Sequence, residues 1–325
     1  MLMRLILNCI VCGNKEGRSF AAREMMFGYR DTFEYFECQS CGCVQISEIP
    51  KDMAKYYPEE YYSLSQQPRD LYKNPLKKFL VAEKIAFEVF DKGLIGRVIC
   101  RFYPANASLV ALRRARINTN SKVLDVGCGT GSLLYQLKIA GFRDLTGVDP
   151  FIKQGIVYSP NFTIFKGTIH DMEGCFDLII FNHSFEHIPD QLETLRCVAK
   201  LLKDEGTCII RMPTVSSYAW KHYGANWVQL DPPRHLFLHS IRSLKLLLEK
   251  TNLKLNDVVY DSTEFQFWGS EQYIRDIPLK SPKSYSVNPN ESIFSKEEMK
   301  RFRDRARELN KKRQGDQAVF YIEKP

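Results

Sequence analysis

Cys9 and Cys12 are separated by two residues, and so are Cys38 and Cys41. Each pair can present two thiolates from one turn. Four thiolates suit a single tetrahedral Zn²⁺ with no open position, a structural metal rather than a catalytic one. The 25 residues between the pairs leave room for a β-hairpin, with Gly13 and Gly42 following the two knuckles as turn residues. Cys43 is surplus to that set, and no βαβ pattern surrounds either pair, which argues against thioredoxin-like redox chemistry. A second segment with chemical potential is Val123-Leu124-Asp125-Val126-Gly127-Cys128-Gly129-Thr130-Gly131. An apolar run delivers the chain to three glycines at alternate positions, where the backbone can turn sharply and let a ligand approach closely. The spacing is G-x-G-x-G and not the G-x-G-x-x-G of dinucleotide sites. Asp125, before the first glycine, meets a positive or hydrogen-donating group better than a phosphate, so the turn suits a cationic ligand.

These residues must be positioned by elements, and the hydropathy pattern supplies them. After Asn118, short β-rich runs alternate with helical ones: strands over Lys122–Val126, Leu145–Val148, Phe162–Phe165, Phe176–Phe181 and Thr207–Arg211, helices over Ser132–Ala140 and Asp190–Leu202. That alternation predicts an α/β fold with a parallel sheet whose first strand-to-helix turn is the ligand site. Further on, Ser240–Lys250 reads as a helix, Leu255–Tyr260 as a strand, Ser295–Lys312 as a charged helix and Ala318–Glu323 as a last strand. Upstream, apolar residues recur at three- and four-residue steps over Pro75–Lys92 and Leu94–Arg116, predicting two amphipathic helices. Met1–Leu7 reads as a first strand. The tyrosines 56, 57, 61 and 62 occupy a connection where they could line a ligand site but better suit packing a small module against its neighbour.

With 44% hydrophobic and 26% charged residues the chain has globular composition, and no apolar run approaches the ~20 residues that span a bilayer. A membrane-spanning protein is excluded on that reading. Half of the ten cysteines fall in the first 43 residues, which is not the distribution of a secreted disulfide scaffold and points to the cytoplasm. The net charge of +8 is concentrated in residues 61–122, where twelve Lys and Arg face four acids. Such a segment attracts phosphates or simply forms a solvated helix face.

The sequence over Ser121–Met212 resembles the class I S-adenosylmethionine-dependent methyltransferases, which implies a Rossmann-like seven-stranded sheet with helices on both faces. On that resemblance Asp125, Gly127, Cys128, Gly129 and Gly131 hold the methionine part of the cofactor. Asp149, in Val148-Asp149-Pro150, accepts from the ribose hydroxyls, and Thr168 and Ile169, in Gly167-Thr168-Ile169-His170-Asp171, contact adenine. Asn182, in Asn182-His183-Ser184-Phe185-Glu186-His187, lies under the transferring methyl group. The segment lacks the Asn/Asp-Pro-Pro-aromatic motif of amine methylation and the Pro-Cys of cytosine methylation. Asp231-Pro232-Pro233-Arg234 is read as a rigid turn. The zinc-ribbon-like N-terminus before this domain resembles bacterial enzymes of sugar and surface-polysaccharide pathways. It is less similar to ribosomal RNA guanine methyltransferases, which place a histidine after the third cysteine. The implied domains are a zinc-binding module at 1–50, a linker with amphipathic helices at 51–118, and the methyltransferase domain at 119–325 with an insertion near 263–312.

A hydroxyl acceptor benefits from a general base, most often histidine. His183, His187, His235 and His239 lie in the two segments around the acceptor, and His183 and His235 are the catalytic candidates. His183-x-x-Glu186-His187 resembles the Glu-x-x-Glu-His of some quinone-pathway O-methyltransferases, but a histidine in place of the first acid disfavours Mg²⁺, which prefers oxygen ligands. The sequence therefore points to methyl transfer from S-adenosylmethionine to a small-molecule acceptor, such as a nucleotide-linked sugar or polysaccharide precursor. Two alternatives stand beside it: an RNA methyltransferase gripping nucleic acid through the zinc module and basic segment, and a non-catalytic cofactor-binding scaffold. The intact Asp125, glycine and Asp149 set argues against the scaffold.

Overall fold

The computed structural model describes residues 8–58 and 74–325. The strand expected over 1–7 and two of the four tyrosines, at 61 and 62, lie outside the described residues.

The cysteine knuckles flank the hairpin for which their spacing left room. Strands β1 (Gly17–Arg23), β2 (Thr32–Cys38) and β3 (Val44–Ile46) pair antiparallel in that order. Helix α1 (Pro75–Phe90) starts where Asn74 accepts a hydrogen bond from the Lys77 amide at 3.1 Å, with Pro75 at a first-turn position that needs no N–H. Helix α2 (Leu94–Phe102) is shorter than the periodicity predicts. Pro104 cannot continue the helix and holds Tyr103 extended, so the chain resumes as the single turn α3 (Ala107–Val110) and a 3₁₀ turn at Ala111–Arg114.

Strands and helices then alternate: β4 (Lys122–Val126), α4 (Ser132–Ile139), β5 (Asp144–Asp149), β6 (Ile156–Ser159), β7 (Phe162–Lys166), β8 (Phe176–Asn182), α5 (Gln191–Leu201) and β9 (Leu202–Pro213). After them come α6 (Tyr218–Tyr223), β10 (Phe237–Leu238), α7 (Ile241–Glu249), β11 (Lys254–Tyr260), α8 (Phe265–Ile274), α9 (Lys296–Lys311) and β12 (Gln317–Glu323). The main sheet has the order β11-β12-β9-β8-β4-β5-β7-β6. Neighbours from β7 to β9 are parallel, while β12 and β11 run antiparallel at one edge.

Eight strands form this sheet, not the seven expected. The extra one is β6, which pairs antiparallel with β7 through a tight turn that sets Ser159 opposite Phe162. Its Ile156-Val157-Tyr158 has strand-forming side chains but is too short to show a period. Central strands are covered on both sides, which is why they read as continuous apolar runs. Leu124 and Ile179 point into a core with Leu195, Val198 and Leu248, whereas Val123 and Ile180 point into another with Ile85, Val89 and Leu137.

The cysteine module is not an isolated bead. β10 pairs antiparallel with β3, so a strand from the loop after β9 completes the module's sheet. Arg234, fully buried, donates to Glu24 of the module at 2.9 Å and to Asp231 at 2.6 Å. The turn at Pro232-Pro233 thus delivers a charged anchor across the junction.

Candidate active site

A cavity of about 530 Å³ opens beyond the C-terminal ends of β4, β5, β7 and β8, where a parallel sheet places ligands. The glycine turn forms its floor. Gly127 has φ +74°, and a Cβ there would stand 2.4 Å from the Ser184 side chain, so only glycine fits. Asp125 lines the cavity and is 3% exposed. Burial, reinforced by the charge of Asp149, pushes its carboxyl up to about 7. Asp149 ends β5 with each oxygen accepting a backbone N–H at 2.8 Å, from Gly129 and from Phe151, which fixes the carboxylate at the cavity wall. Burial pushes its carboxyl above the usual carboxylate range as well.

The remaining sequence-predicted cofactor residues surround the same space. Cys128, Thr168, Ile169 and Asn182 line it. The Thr168 hydroxyl and amide both donate to Asp171, at 3.1 and 2.8 Å, so that side chain is turned toward its own 3₁₀ turn. Asn182 accepts from the Ser108 hydroxyl at 3.1 Å and from Arg211 at 3.3 Å. Gly129 and Gly131 shape the turn through positive φ values of 55° and 83°. Sequence reasoning favoured packing for Tyr57 and missed Phe151, and the two rings stack 5.4 Å apart at the cavity rim. Tyr56 does pack the module, donating to Asp31, but its neighbour Tyr57 turns to the ligand side. The signal for Phe151 was an aromatic residue two places after Asp149, past Pro150.

A second cavity of about 270 Å³ shares His183 and His187 with the first and is closed by Met26, Gln229, Asp231, His235 and Phe265. Glu186 sits behind it, fully buried, and neither of its carboxylate oxygens receives an aligned hydrogen bond. The nearest donors are imidazoles, His183 Nδ1 at 3.4 Å and His235 Nε2 at 3.9 Å. Burial would push this carboxyl up, but His183, His187 and His235 outweigh it and hold the group at about 2. Glu186 is therefore an anion.

Hydrogen bonds assign the ring protons. Arginine can only donate, so the 2.6 Å contact of Arg211 with His183 occupies the Nε2 lone pair and leaves the proton on Nδ1, toward Glu186. His235 is the reverse case. Its Nδ1 faces the Gln229 carbonyl at 2.8 Å and must carry a proton, while its Nε2 lies between Glu186 and Asp231, at 3.9 and 4.0 Å, with no closer partner among the described residues. His187 donates from Nδ1 to the Arg234 carbonyl at 2.8 Å, and burial, with His235 nearby, lowers it to about 4, so it is neutral. His239 bonds Gln191 and Ser243 in the core and reaches neither cavity.

Residues 100–258 match a family model described as a methyltransferase domain. The chain carries a class I S-adenosylmethionine-dependent methyltransferase domain. A ubiquinone biosynthesis O-methyltransferase of Rickettsia bellii is 25% identical to this methyltransferase over 213 residues, covering 59% of this chain and 87% of that one. A trans-aconitate 2-methyltransferase of Deinococcus radiodurans is 30% identical over 105 residues, 30% of this chain and 40% of that one. Among solved structures, a methyltransferase from Archaeoglobus fulgidus aligns with a TM-score of 0.42 and 20% identity, over 70% of this chain and 99% of that one.

The methyltransferase also brings its four knuckle cysteines together. The sulfurs of Cys9, Cys12, Cys38 and Cys41 lie within 4.8 Å of one another, with Cys9 to Cys41 and Cys12 to Cys38 both 3.5 Å apart. Those separations far exceed a disulfide bond of about 2 Å and approach the ~3.8 Å between sulfurs that Zn–S bonds of about 2.3 Å impose on a tetrahedron. The donor set fits zinc. Cys43 stays outside it and is fully buried. Glu186, His187 and His235 also bring ligand-capable atoms within 4.8 Å, a nitrogen-rich set unlike the oxygen shells of Mg²⁺.

Proposed function

We propose that this enzyme transfers the methyl group of S-adenosylmethionine to a hydroxyl of a small, uncharged acceptor ring, such as the sugar of a nucleotide-linked or polysaccharide precursor. The open Nε2 of His235, facing the smaller cavity beside a buried anion, carries the reading. When bound, the cofactor supplies an electrophilic methyl on a positively charged sulfur. Asp125 and the turn Gly127, Cys128, Gly129 and Gly131 hold its cationic end, Asp149 its ribose, and Thr168, Ile169 and Asn182 the rest of the larger cavity. The acceptor hydroxyl gives its proton to His235 Nε2, and Glu186 and Asp231 stabilise the imidazolium that results. His183, its own lone pair held by Arg211, orients Glu186.

The names of the relatives support oxygen as the acceptor atom. Charge supports a neutral ring: among the described residues the lining of the smaller cavity contains Asp231 but no Lys or Arg, so a carboxylate or phosphate there would meet repulsion. Zinc bound by Cys9, Cys12, Cys38 and Cys41 is structural in this reading, the module spans 1–50, the linker and helices 51–118, and the methyltransferase domain 119–325 with its insertion at 263–312. A screen with radiolabelled cofactor against nucleotide sugars, small phenols and RNA tests it. Label on a nucleotide sugar, lost in His235→Ala, supports the reading; label on RNA alone overturns it.

A further inference from the structure

Helix α2 is nine residues long and turns an apolar stripe to solvent. Leu94, Ile95, Val98 and Phe102 are 79%, 43%, 54% and 78% exposed. At about 100° per residue these four positions fall within an arc of about 100°. The opposite side is the packed one: Gly96 is buried against α1 so closely that a Cβ would stand 2.2 Å from the Glu83 carbonyl oxygen. The stripe is thus not the seam between the two helices. Leu76, Phe79 and Leu80 of α1 and Tyr103 after α2 add exposed apolar area on the same hairpin.

Cations frame this face. Residues 74–103 contain six Lys and Arg against three acids, and one of those acids, Glu88, is buried and neutralised by Lys84 at 2.6 Å. Arg97 and Arg101 sit beside the stripe on α2, and Arg101, Lys77, Lys78 and Lys92 have no acidic partner among the described residues. Apolar side chains flanked by unpaired cations on a short helix match the boundary of an anionic bilayer, where the rings and branched chains enter the acyl region and the guanidinium groups meet headgroup phosphates. A symmetric contact between two copies would set these cations against one another, with Glu83 the one acid of the hairpin outside an ion pair among the described residues to offset them. Nucleic acid would use the cations and leave the central stripe without a partner.

We infer that the α1–α2 hairpin docks this methyltransferase onto an anionic membrane surface. It lies beside the cofactor site: the chain leaving α2 reaches Ser108, whose hydroxyl donates to Asn182 at the cavity edge. No helix among the described residues is long and apolar enough to cross a membrane, so attachment is peripheral.

Co-sedimentation of the full chain with vesicles of phosphatidylglycerol mixed with phosphatidylcholine, against phosphatidylcholine alone, tests this. The anionic vesicles should retain the protein, with retention falling as salt rises. Val98→Glu with Phe102→Glu, and separately Arg97→Gln with Arg101→Gln, should each weaken retention about tenfold or more while cofactor binding stays unchanged. These side chains are solvent-exposed, so unchanged cofactor binding also reports intact folding. Equal retention on both vesicle types overturns the inference. So does a dimer in light scattering that the glutamates dissolve, or RNA binding that only the arginine substitutions abolish.

Discussion

His235 holds its Nε2 atom 3.9 Å from Oε1 of Glu186, while its Nδ1 proton is spent on the Gln229 carbonyl. The ring therefore turns its Nε2 to the acceptor cavity with a buried carboxylate behind it. His235→Ala should lower kcat by roughly 10²- to 10⁴-fold, the range for losing a general base, with little change in cofactor affinity. Glu186→Gln separates the roles. Removing the anion leaves the imidazolium formed on proton transfer without its buried counter-charge, so kcat should fall while cofactor affinity holds. Steady-state kinetics and cofactor binding of both variants check this; an unchanged kcat in Glu186→Gln would assign Glu186 to packing alone.

Asp125 links cofactor binding to pH. Its carboxyl is raised to about 7 in the ligand-free protein by burial and by Asp149, so near pH 6 it is mostly protonated. A cationic ligand favours the ionised form, and binding then releases a proton. The sign is definite: a raised carboxyl contributes stability below its unfolded value that is lost as pH rises through about 7, and the bound cation reverses that loss. Affinity for S-adenosylmethionine should rise with pH, by up to about tenfold per unit below pH 7, and level off above it. Calorimetry in buffers of different ionisation enthalpy detects the proton directly. Asp125→Asn should bind weakly and lose the pH dependence.

How much of this was legible beforehand depended on whether the information was local. The strand at Lys122–Val126 and the glycine turn are written in adjacent residues, because a buried strand and positive-φ positions each demand particular side chains. The two cysteine knuckles likewise announce themselves by spacing. What the sequence withheld is pairing at a distance. Arg234 gave no hint that it reaches Glu24, some 210 residues away in sequence, and Phe237–Leu238 is too short to read as a strand until β3 offers its edge. Which histidine keeps an open lone pair depends on Arg211 and on the Gln229 carbonyl, and a list of histidine positions contains neither. Pro104 was visible, and the helix expected through Arg116 should have been ended there on local grounds.

The knuckle cysteines predict a metal-dependent module. Metal analysis of purified protein should find about one zinc per chain, and Cys38→Ser should lose it. Because β10 and Arg234 tie the module to the sheet, loss of zinc should also lower the melting temperature of the whole chain rather than release a separate early transition. Calorimetry before and after chelation distinguishes the two. A zinc-free protein with an unchanged melt would remove the structural role.

Arg234 is the sharper test of that junction. Its guanidinium is buried between Glu24 and Asp231, and Glu24 also accepts the amides of Phe27 and Tyr29, both at 2.9 Å, so the anion shapes the turn between β1 and β2. Removing the cation strands two acids in a medium that solvates them poorly. Arg234→Ala should cost about 3 to 5 kcal/mol, the range for breaking a buried pair from one side. Replacing Glu24 and Arg234 together with methionines should cost less than Arg234→Ala alone, because one of the stranded charges is gone. Denaturant unfolding of both variants measures the difference. If the double variant is the less stable, the triad acts chiefly through the hydrogen bonds Glu24 accepts within the module, and Arg234 is secondary to them.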